Sequence, residues 1–341
     1  MKKELKIAVI GAGAIGGTTA ALMTKAGYDV EMVCKHQSIA EKVKVGLKLV
    51  GVMGEHAIKM QAVKEIDELT GIKDYIFVAT KAYDMPESCK KALKFADENT
   101  LFISMQNGIS IDAMAEVVGE ERTVGCVVGY GGTMLEHGVL DITSTGEFVI
   151  GMKKNIDKLE ELKHVMDSAF KTTISPNIYE ELYSKLIVNS CITSLGAISG
   201  IYLGQMLKQK HVRDIFLKIM AEAVDVANAM GLNLPLYAGK LDYYKLVDLG
   251  SSLKRFKAHL TIRVVGIKYR RLKSSSLQSL ERGRKTEIDF FNGYIAKKAD
   301  EMNVAAPINK AITEIIKEIE DKKRKIDVSN FYDKKILSAL K

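Results

Sequence analysis

The apolar positions change rhythm once along the chain. From the start to about residue 176, short β-rich runs alternate with helical stretches, the pattern of strands joined by crossover helices. Leu5 to Ile10, Asp29 to Cys34, Leu47 to Val52, Ile58 to Val63, Tyr75 to Thr80, Leu101 to Met105, Thr123 to Val128, Gly138 to Ile142 and Phe148 to Gly151 read as strands. Pro86 to Ala96 and Ile111 to Val118 read as crossover helices. The result is an open, largely parallel sheet with helices on both faces. Gly131-Gly132 and His137-Gly138 separate the later strands, which predicts antiparallel hairpins at one sheet edge. After Pro176 the chain turns all-helical, with long stretches at Tyr179 to Ser194, Val212 to Met230, Thr286 to Met302 and Lys310 to Lys325. Ile308, Ile312, Ile315, Ile316 and Ile319 recur at helical spacing. Residues 1–176 and 177–341 therefore read as two domains. Leu260 to Ile267 mixes apolar and basic residues without a clean period and yields no element.

The first strand is followed at once by Gly11-Ala12-Gly13-Ala14-Ile15-Gly16 and then by a helical stretch. That order is the fingerprint of a dinucleotide site, and it makes the first domain Rossmann-type α/β. The first glycine allows the turn, the second admits a pyrophosphate, and the third lets helix and strand pack closely, with the helix N-terminus facing the phosphates. Lys2 and Lys3 ahead of an apolar stretch also open a secretory signal, but five glycines between Gly11 and Gly27 make a poor signal core.

Composition narrows the class. Of 341 residues, 47% are hydrophobic, enough for about two well-packed domains. The net charge of +8 is confined to residues 254–273, which hold eight Lys/Arg and no acid, so the rest sums to zero. A local excess of this kind is no nucleic-acid footprint and fits a subunit interface or an anion site better. Cys34, Cys89, Cys126 and Cys191 are far apart, form no C-x-x-C and lie mostly in apolar runs, as reduced thiols in the cytoplasm do. No metal is implied, and no apolar run reaches the roughly 20 residues needed to span a bilayer.

Candidate chemistry lies at the strand ends. Where an NAD enzyme ends its second strand in an acid, this chain reads Val33-Cys34-Lys35-His36. Glu31 has about the right count but sits inside the strand, as an ordinary strand residue does, whereas Lys35 attracts a 2′-phosphate and favours NADP. Lys81 and Asn107 follow the strands ending at Thr80 and Met105, on the edge that faces ligands in a doubly wound sheet. In the helical half, Lys185 and Asn189 are four apart on one helix face bordering apolar surface; a desolvated lysine there serves as a general acid, whereas an exposed one only solubilises the helix, the reading this pair supports by itself. Thr286 with Asp289 predicts a capping box that starts a helix with Glu287 in its first turn. Were one helix to run from Ser275 to Glu287, they would stand about 18 Å apart. Gly283 and the cap at Thr286 predict a break that lets both reach one pocket.

Together these stations resemble the ketopantoate reductase family of two-domain NADPH-dependent 2-oxo-acid reductases. The resemblance rests on Gly11 to Gly16, Thr80-Lys81-Ala82-Tyr83, Gln106-Asn107-Gly108, the Lys185 and Asn189 pair, and Thr286-Glu287-Ile288-Asp289 with Asn292-Gly293. It implies that NADPH, held by Gly11, Ala12, Gly13, Ala14, Ile15, Gly16, Lys35, Lys81 and Asn107, reduces C2 of the oxo acid while Lys185 protonates the oxygen. Glu287 would bind the substrate hydroxyl as a second catalytic residue and Ser275 the carboxylate, with Asn107, Asn189 and Thr193 holding the substrate. The sequence departs from the family where Thr193 replaces an asparagine, where Ser279 replaces an aspartate, where Lys35 replaces an arginine, and in a longer segment over residues 236–273.

The implied function is reduction of ketopantoate to pantoate for pantothenate and coenzyme A synthesis. Reduction of another 2-oxo acid, an opine-type dehydrogenase, and a dinucleotide sensor without turnover are the alternatives. The small-molecule substrate is the expected partner, with neither nucleic acid nor membrane, and pairing into a homodimer stays open.

Overall fold

The computed structural model describes residues 5–341, so Lys2 and Lys3 lie outside the described residues. The chain divides into two compact units, Met1–Leu182 and Tyr183–Lys341.

The first unit contains strands β1 (Lys6–Ile10), β2 (Asp29–Val33), β3 (Leu47–Gly51), β4 (His56–Ile58), β5 (Gln61–Val63), β6 (Tyr75–Val78), β7 (Leu101–Ser104), β8 (Thr123–Val128), β9 (Gly131–Glu136), β10 (Val139–Ser144), β11 (Phe148–Gly151) and β12 (Thr172–Ile174). Its helices are α1 (Ala14–Lys25), α2 (Gln37–Gly46), α3 (Met85–Ala92), α4 (Ile111–Val118) and α5 (Leu159–Asp167), with α6 (Ile178–Ser199) continuing into the second unit. Eight strands form the main sheet in the order β12-β11-β8-β7-β6-β1-β2-β5. All its pairs are parallel except β11 with β8.

The central strands are apolar on both faces. Ile7, Val9, Tyr75 and Phe77 enter one buried cluster, and Ala8, Ile10, Ile76 and Val78 enter the other. The two-residue alternation thus separates two cores rather than core from solvent.

A second sheet, β4-β3-β10-β9, was not legible in the apolar rhythm. The run Ile58 to Val63 is split: β4 pairs antiparallel with β3, and β5 pairs parallel with β2 in the main sheet. The expected edge hairpin is likewise relocated, since β9 and β10 are antiparallel but β10 pairs parallel with β3. Helix α1 explains this layer. It is buried from Gly16 to Met23, and a Cβ on Gly17 would sit 2.6 Å from Leu140 Cδ1 of β10. Tyr130 donates to the Ile15 carbonyl at 2.7 Å, tying the second sheet to the helix. A helix of small residues is thin enough to be covered on both sides.

The second unit continues with α7 (Leu203–Lys208), α8 (Lys210–Ala229), α9 (Tyr243–Val247), α10 (Ser252–Lys268), α11 (Ser275–Glu281), α12 (Asn292–Glu301), α13 (Pro307–Glu320) and α14 (Lys334–Ala339). The helix expected over Lys310 to Lys325 ends at Glu320, so Lys322–Lys325 lies beyond α13, and Arg324 pairs with Glu318 and Asp333. The ambiguous stretch Leu260 to Ile267 is helical, inside α10.

All four cysteines are buried, and none forms a disulfide. Cys34 and Cys126 lie in one core of the first unit and Cys89 in the other, while Cys191 lies in the second unit. Burial pushes Cys34 and Cys89 up to about 12 and raises Cys191 well above the usual thiol value.

Candidate active site

In the first unit, Gly11 has φ +113°, and a Cβ there would lie 2.8 Å from the Ala79 carbonyl carbon and oxygen at the end of β6. A Cβ on Gly16 would be 2.1 Å from the Gly11 oxygen. These two glycines let turn, helix and strand close on one another. Gly13 differs, because a Cβ there would meet nothing within 4 Å. It caps α1 with no side-chain bond, and the first turn of that helix carries no acid. An open backbone edge beside uncapped N–H groups fits a pyrophosphate.

The neighbouring strand ends are held by Gln106. Its side-chain amide donates to the Val78 carbonyl at 2.8 Å and the Thr80 carbonyl at 3.3 Å, and its oxygen accepts from Ser104 at 2.6 Å. This clamp fixes the ends of β6 and β7, where Lys81 and Asn107 stand half-buried. In the sequence Gln106 carries no role of its own, and the signal for it is its place between the strand end and Asn107.

The end of β2 settles the role of Glu31. Its carboxylate is buried and accepts from Lys73 at 2.7 Å and from the Thr70 N–H at 3.1 Å. It is therefore a structural ion pair rather than a ribose acceptor. Lys35 and His36 follow as exposed residues, with His36 at the N-cap of α2. His137, from the β9–β10 hairpin, stacks on His36 with ring centroids 5.7 Å apart and bonds Ser38 at 2.7 Å. In the sequence His137 reads only as part of a turn, because no local pattern marks the second sheet that brings it here.

In the second unit, Lys185, Asn189 and Thr193 repeat every four residues along α6 and share one face. Lys185 and Asn189 are half-buried. Thr193 is buried and donates its hydroxyl proton to the Asn189 carbonyl at 2.6 Å, which leaves its oxygen as an acceptor.

The next residue along α6, Ser194, hydrogen-bonds Asn292 at the start of α12. A Cβ on Gly196 would lie 2.6 Å from the hydroxyl of Ser274, the N-cap of α11. The lysine helix, the serine segment and the start of the helix after Glu287 thus meet. Ser275 follows the cap and is exposed, while Ser279 donates to the Ser275 carbonyl at 3.1 Å and serves its own helix.

The chain does break after Ser275, since α11 ends at Glu281 and Gly283 has φ +65°. The predicted capping box does not form. The Thr286 hydroxyl donates to Glu320 at 2.6 Å and accepts from the Ile288 N–H at 3.1 Å, while Asp289 pairs with Lys317 at 2.6 Å. The carboxylate of α13 displaces the local cap, so a short 3-10 turn at Ile288–Phe290 precedes α12. Glu287 is buried just ahead of that turn.

Behind Asn292 runs a buried chain. Its amide donates to Asn309 at 2.9 Å, and Asn309 donates to Glu222 of α8 at 2.8 Å. Glu222 also accepts from the Ile308 and Asn309 N–H groups at 3.0 and 3.1 Å, capping α13. Burial is the main influence on Glu222 and raises its pKa, with the accepted hydrogen bonds opposing it.

Both halves match known families. Residues 7–155 match "Ketopantoate reductase PanE/ApbA", and residues 177–320 match "Ketopantoate reductase PanE/ApbA C terminal". This chain belongs to the ketopantoate reductase family. The family places it among NADP-dependent oxidoreductases that act on CH–OH donors. It is 26% identical over 319 residues to the 2-dehydropantoate 2-reductase of Aquifex aeolicus, covering 92% of this chain and 96% of that one.

Two solved structures share the fold. One is the ketopantoate reductase of Ralstonia eutropha JMP134, with TM-score 0.80, 24% identity, and coverage of 94% of this chain and 99% of that one. The other is D-mandelate dehydrogenase with NADH and anilino(oxo)acetate, with TM-score 0.80, 20% identity, and coverage of 93% and 99%. Among the described residues no helix is long and apolar enough to cross a membrane.

Proposed function

We propose that this protein reduces ketopantoate to pantoate with NADPH, a step toward pantothenate and coenzyme A. The observation that carries the reading is the α6 face bearing Lys185, Asn189 and Thr193, on a helix bonded to the α12 start and packed on the serine segment. When bound, the reduced nicotinamide supplies a hydride to C2 of the oxo acid. Lys185 gives a proton to the C2 oxygen as negative charge grows there, and its ammonium stabilises that charge. Glu287 accepts from the substrate hydroxyl, Ser275 donates to the carboxylate, and Asn107, Asn189 and the Thr193 oxygen orient the rest.

The reading is tested by following NADPH oxidation with ketopantoate beside a panel of 2-oxo acids that includes aryl ones. Fastest turnover with ketopantoate supports it. Preference for an aryl 2-oxo acid would favour the second reading, suggested by the likeness to D-mandelate dehydrogenase and by the departures at Thr193 and Ser279. In the Glu287→Ala variant, KM for ketopantoate rises about tenfold or more, as for loss of a charged hydrogen bond, while use of 2-oxo acids without the hydroxyl is spared. Equal losses on both substrate classes would remove Glu287 from hydroxyl recognition.

For the cofactor, Lys35 and His36 at the end of β2, with Glu31 occupied by Lys73, favour a 2′-phosphate over a free ribose hydroxyl. Lys35→Ala accordingly raises KM for NADPH about tenfold and leaves that for NADH unchanged, as steady-state kinetics with both cofactors would record. A parallel rise for NADH would assign Lys35 to another part of the nucleotide.

A further inference from the structure

The second sheet carries a side chain to the end of β2, the place where a dinucleotide's adenosine ribose lies in a doubly wound fold. Two residues, His137 and Gly138, join β9 to β10. Gly138 has φ +81°, and a Cβ there would lie 2.5 Å from Lys42 Cβ of α2, so a glycine lets the turn rest on that helix. The Lys48 N–H of β3 donates to the Gly138 carbonyl at 2.9 Å and holds the turn in place. His137 is thereby set against the residues that follow β2. Its ring plane is 15° from that of His36, and its Nδ1 bonds the Ser38 hydroxyl at 2.7 Å. That bond leaves Nε2 of His137 and both ring nitrogens of His36 for a ligand, since no other hydrogen bond engages them among the described residues.

The corner carries more cations than acids. Lys35 after β2, Lys42 and Lys44 on α2 and Lys48 on β3 outnumber Glu41 on α2 and Glu136 on β9. Glu41 accepts from Gln37 at 3.1 Å, and neither imidazole is ion-paired to a carboxylate among the described residues. A proton on either ring therefore sets like charge beside like, which an arriving anion relieves. A phosphomonoester suits this setting. It carries about 1.5 to 2 negative charges at neutral pH and three acceptor oxygens, more than a single ammonium neutralises.

We propose that His137 and His36 form, with Lys35, a proton-coupled site for the 2′-phosphate of NADPH, in which the imidazole pair takes a proton from solvent as the phosphate binds and donates to its oxygens. This rests on the reading that NADPH is the hydride donor. An ammonium keeps its charge throughout the neutral range, whereas imidazole changes charge between about pH 5 and pH 8. Lys35 therefore supplies a constant attraction and the imidazoles one that strengthens on acidification. Below about pH 6 the phosphate itself takes up a proton, and the gain levels off. A free ribose hydroxyl draws no proton to the pair, so the choice between the two cofactors sharpens as pH falls.

Calorimetric titration of the full chain with NADP+ and NAD+, without substrate, tests the site. The wild type binds NADP+ about five- to tenfold more tightly at about pH 6.5 than at about pH 8.5, and takes up about half a proton near neutrality, read from the heats in buffers of different ionisation enthalpy. NAD+ binding shows neither effect. His137→Ala weakens NADP+ binding about tenfold at the lower pH and much less at the higher one, and leaves NAD+ binding unchanged. His137→Gln, which keeps a hydrogen-bonding group for Ser38 but takes no proton, loses the same pH dependence. Lys35→Ala weakens NADP+ binding at both pH values and keeps the proton uptake. NADP+ binding without proton uptake by the wild type overturns the proposal, as does a His137→Ala variant that follows the wild-type pH curve; both leave the NADPH reading standing. Equal losses for NADP+ and NAD+ also overturn it, by assigning His137 to the fold of the turn. A wild type that binds NAD+ as tightly as NADP+ at the lower pH overturns the NADPH reading itself, and this site with it.

Discussion

Lys185→Ala lowers kcat for 2-oxo-acid reduction by about 10²- to 10⁴-fold, the range that a positioned general acid supplies. The side chain projects from the middle of a continuous helix, between the buried Ser184 and Leu186, so truncation leaves the backbone in place. Tyr243 donates to the Ser184 carbonyl and Tyr183 to the Ala223 carbonyl at 3.0 Å, which fix that turn independently of the lysine. NADPH binding, read by fluorescence titration, is expected to persist, and added primary amines should restore part of the lost turnover. Lys185→Arg keeps the charge but gives up a proton far less readily, so it recovers little. Wild-type turnover in the alanine variant would remove Lys185 from the reaction.

Glu222→Gln lowers the free energy of unfolding by about 2 kcal/mol, because an amide turns an N–H group toward donors that a carboxylate accepted. Three N–H groups converge on the Glu222 carboxylate, two from the backbone of α13 and one from Asn309, so at least one loses its acceptor. The deficit depends on pH. The folded pKa of Glu222 is raised above its ordinary 4.5, chiefly by burial. Protonation of Glu222 therefore favours the folded chain, fully below about that value, and the support is withdrawn as pH climbs through the raised one. The wild type loses that contribution and the glutamine variant has none to lose. Urea unfolding should accordingly show a larger difference near pH 5 than near pH 8. A difference that grows with pH would mean that Glu222 is held ionised, with its pKa lowered.

Local pattern revealed the parallel strands, the glycine turn and the long helices because each is written in neighbouring residues. The two apolar sets of β1 and β6 and the open edge at Gly13 follow directly from spacing. What stayed hidden depends on partners distant in sequence. Ile58 to Val63 has one apolar rhythm but serves two sheets, and nothing local marks where it changes allegiance. Gly131-Gly132 reads as a turn, yet both residues pair with β10. Thr286 and Asp289 have capping-box spacing, but Glu320, 34 residues on, takes the threonine. In α10 the period vanished because two apolar faces overlay one another, and only burial separates Ile262 from Leu260.

In the candidate site, the named stations were legible and their supports were not. His137, Ser194, Asn309 and Glu222 carry no motif of their own, and with Gln106 they support the motif residues through contacts across 17 to 99 positions.

The four buried thiols give the chain a built-in set of clocks. Cys34, Cys89 and Cys126 belong to one unit and Cys191 to the other; burial keeps all four out of reach of alkylating dyes and holds Cys34, Cys89 and Cys191 protonated. A brief pulse of dye therefore marks only molecules that have opened. Peptide mapping then reads the opening of each unit separately, with no engineered probe.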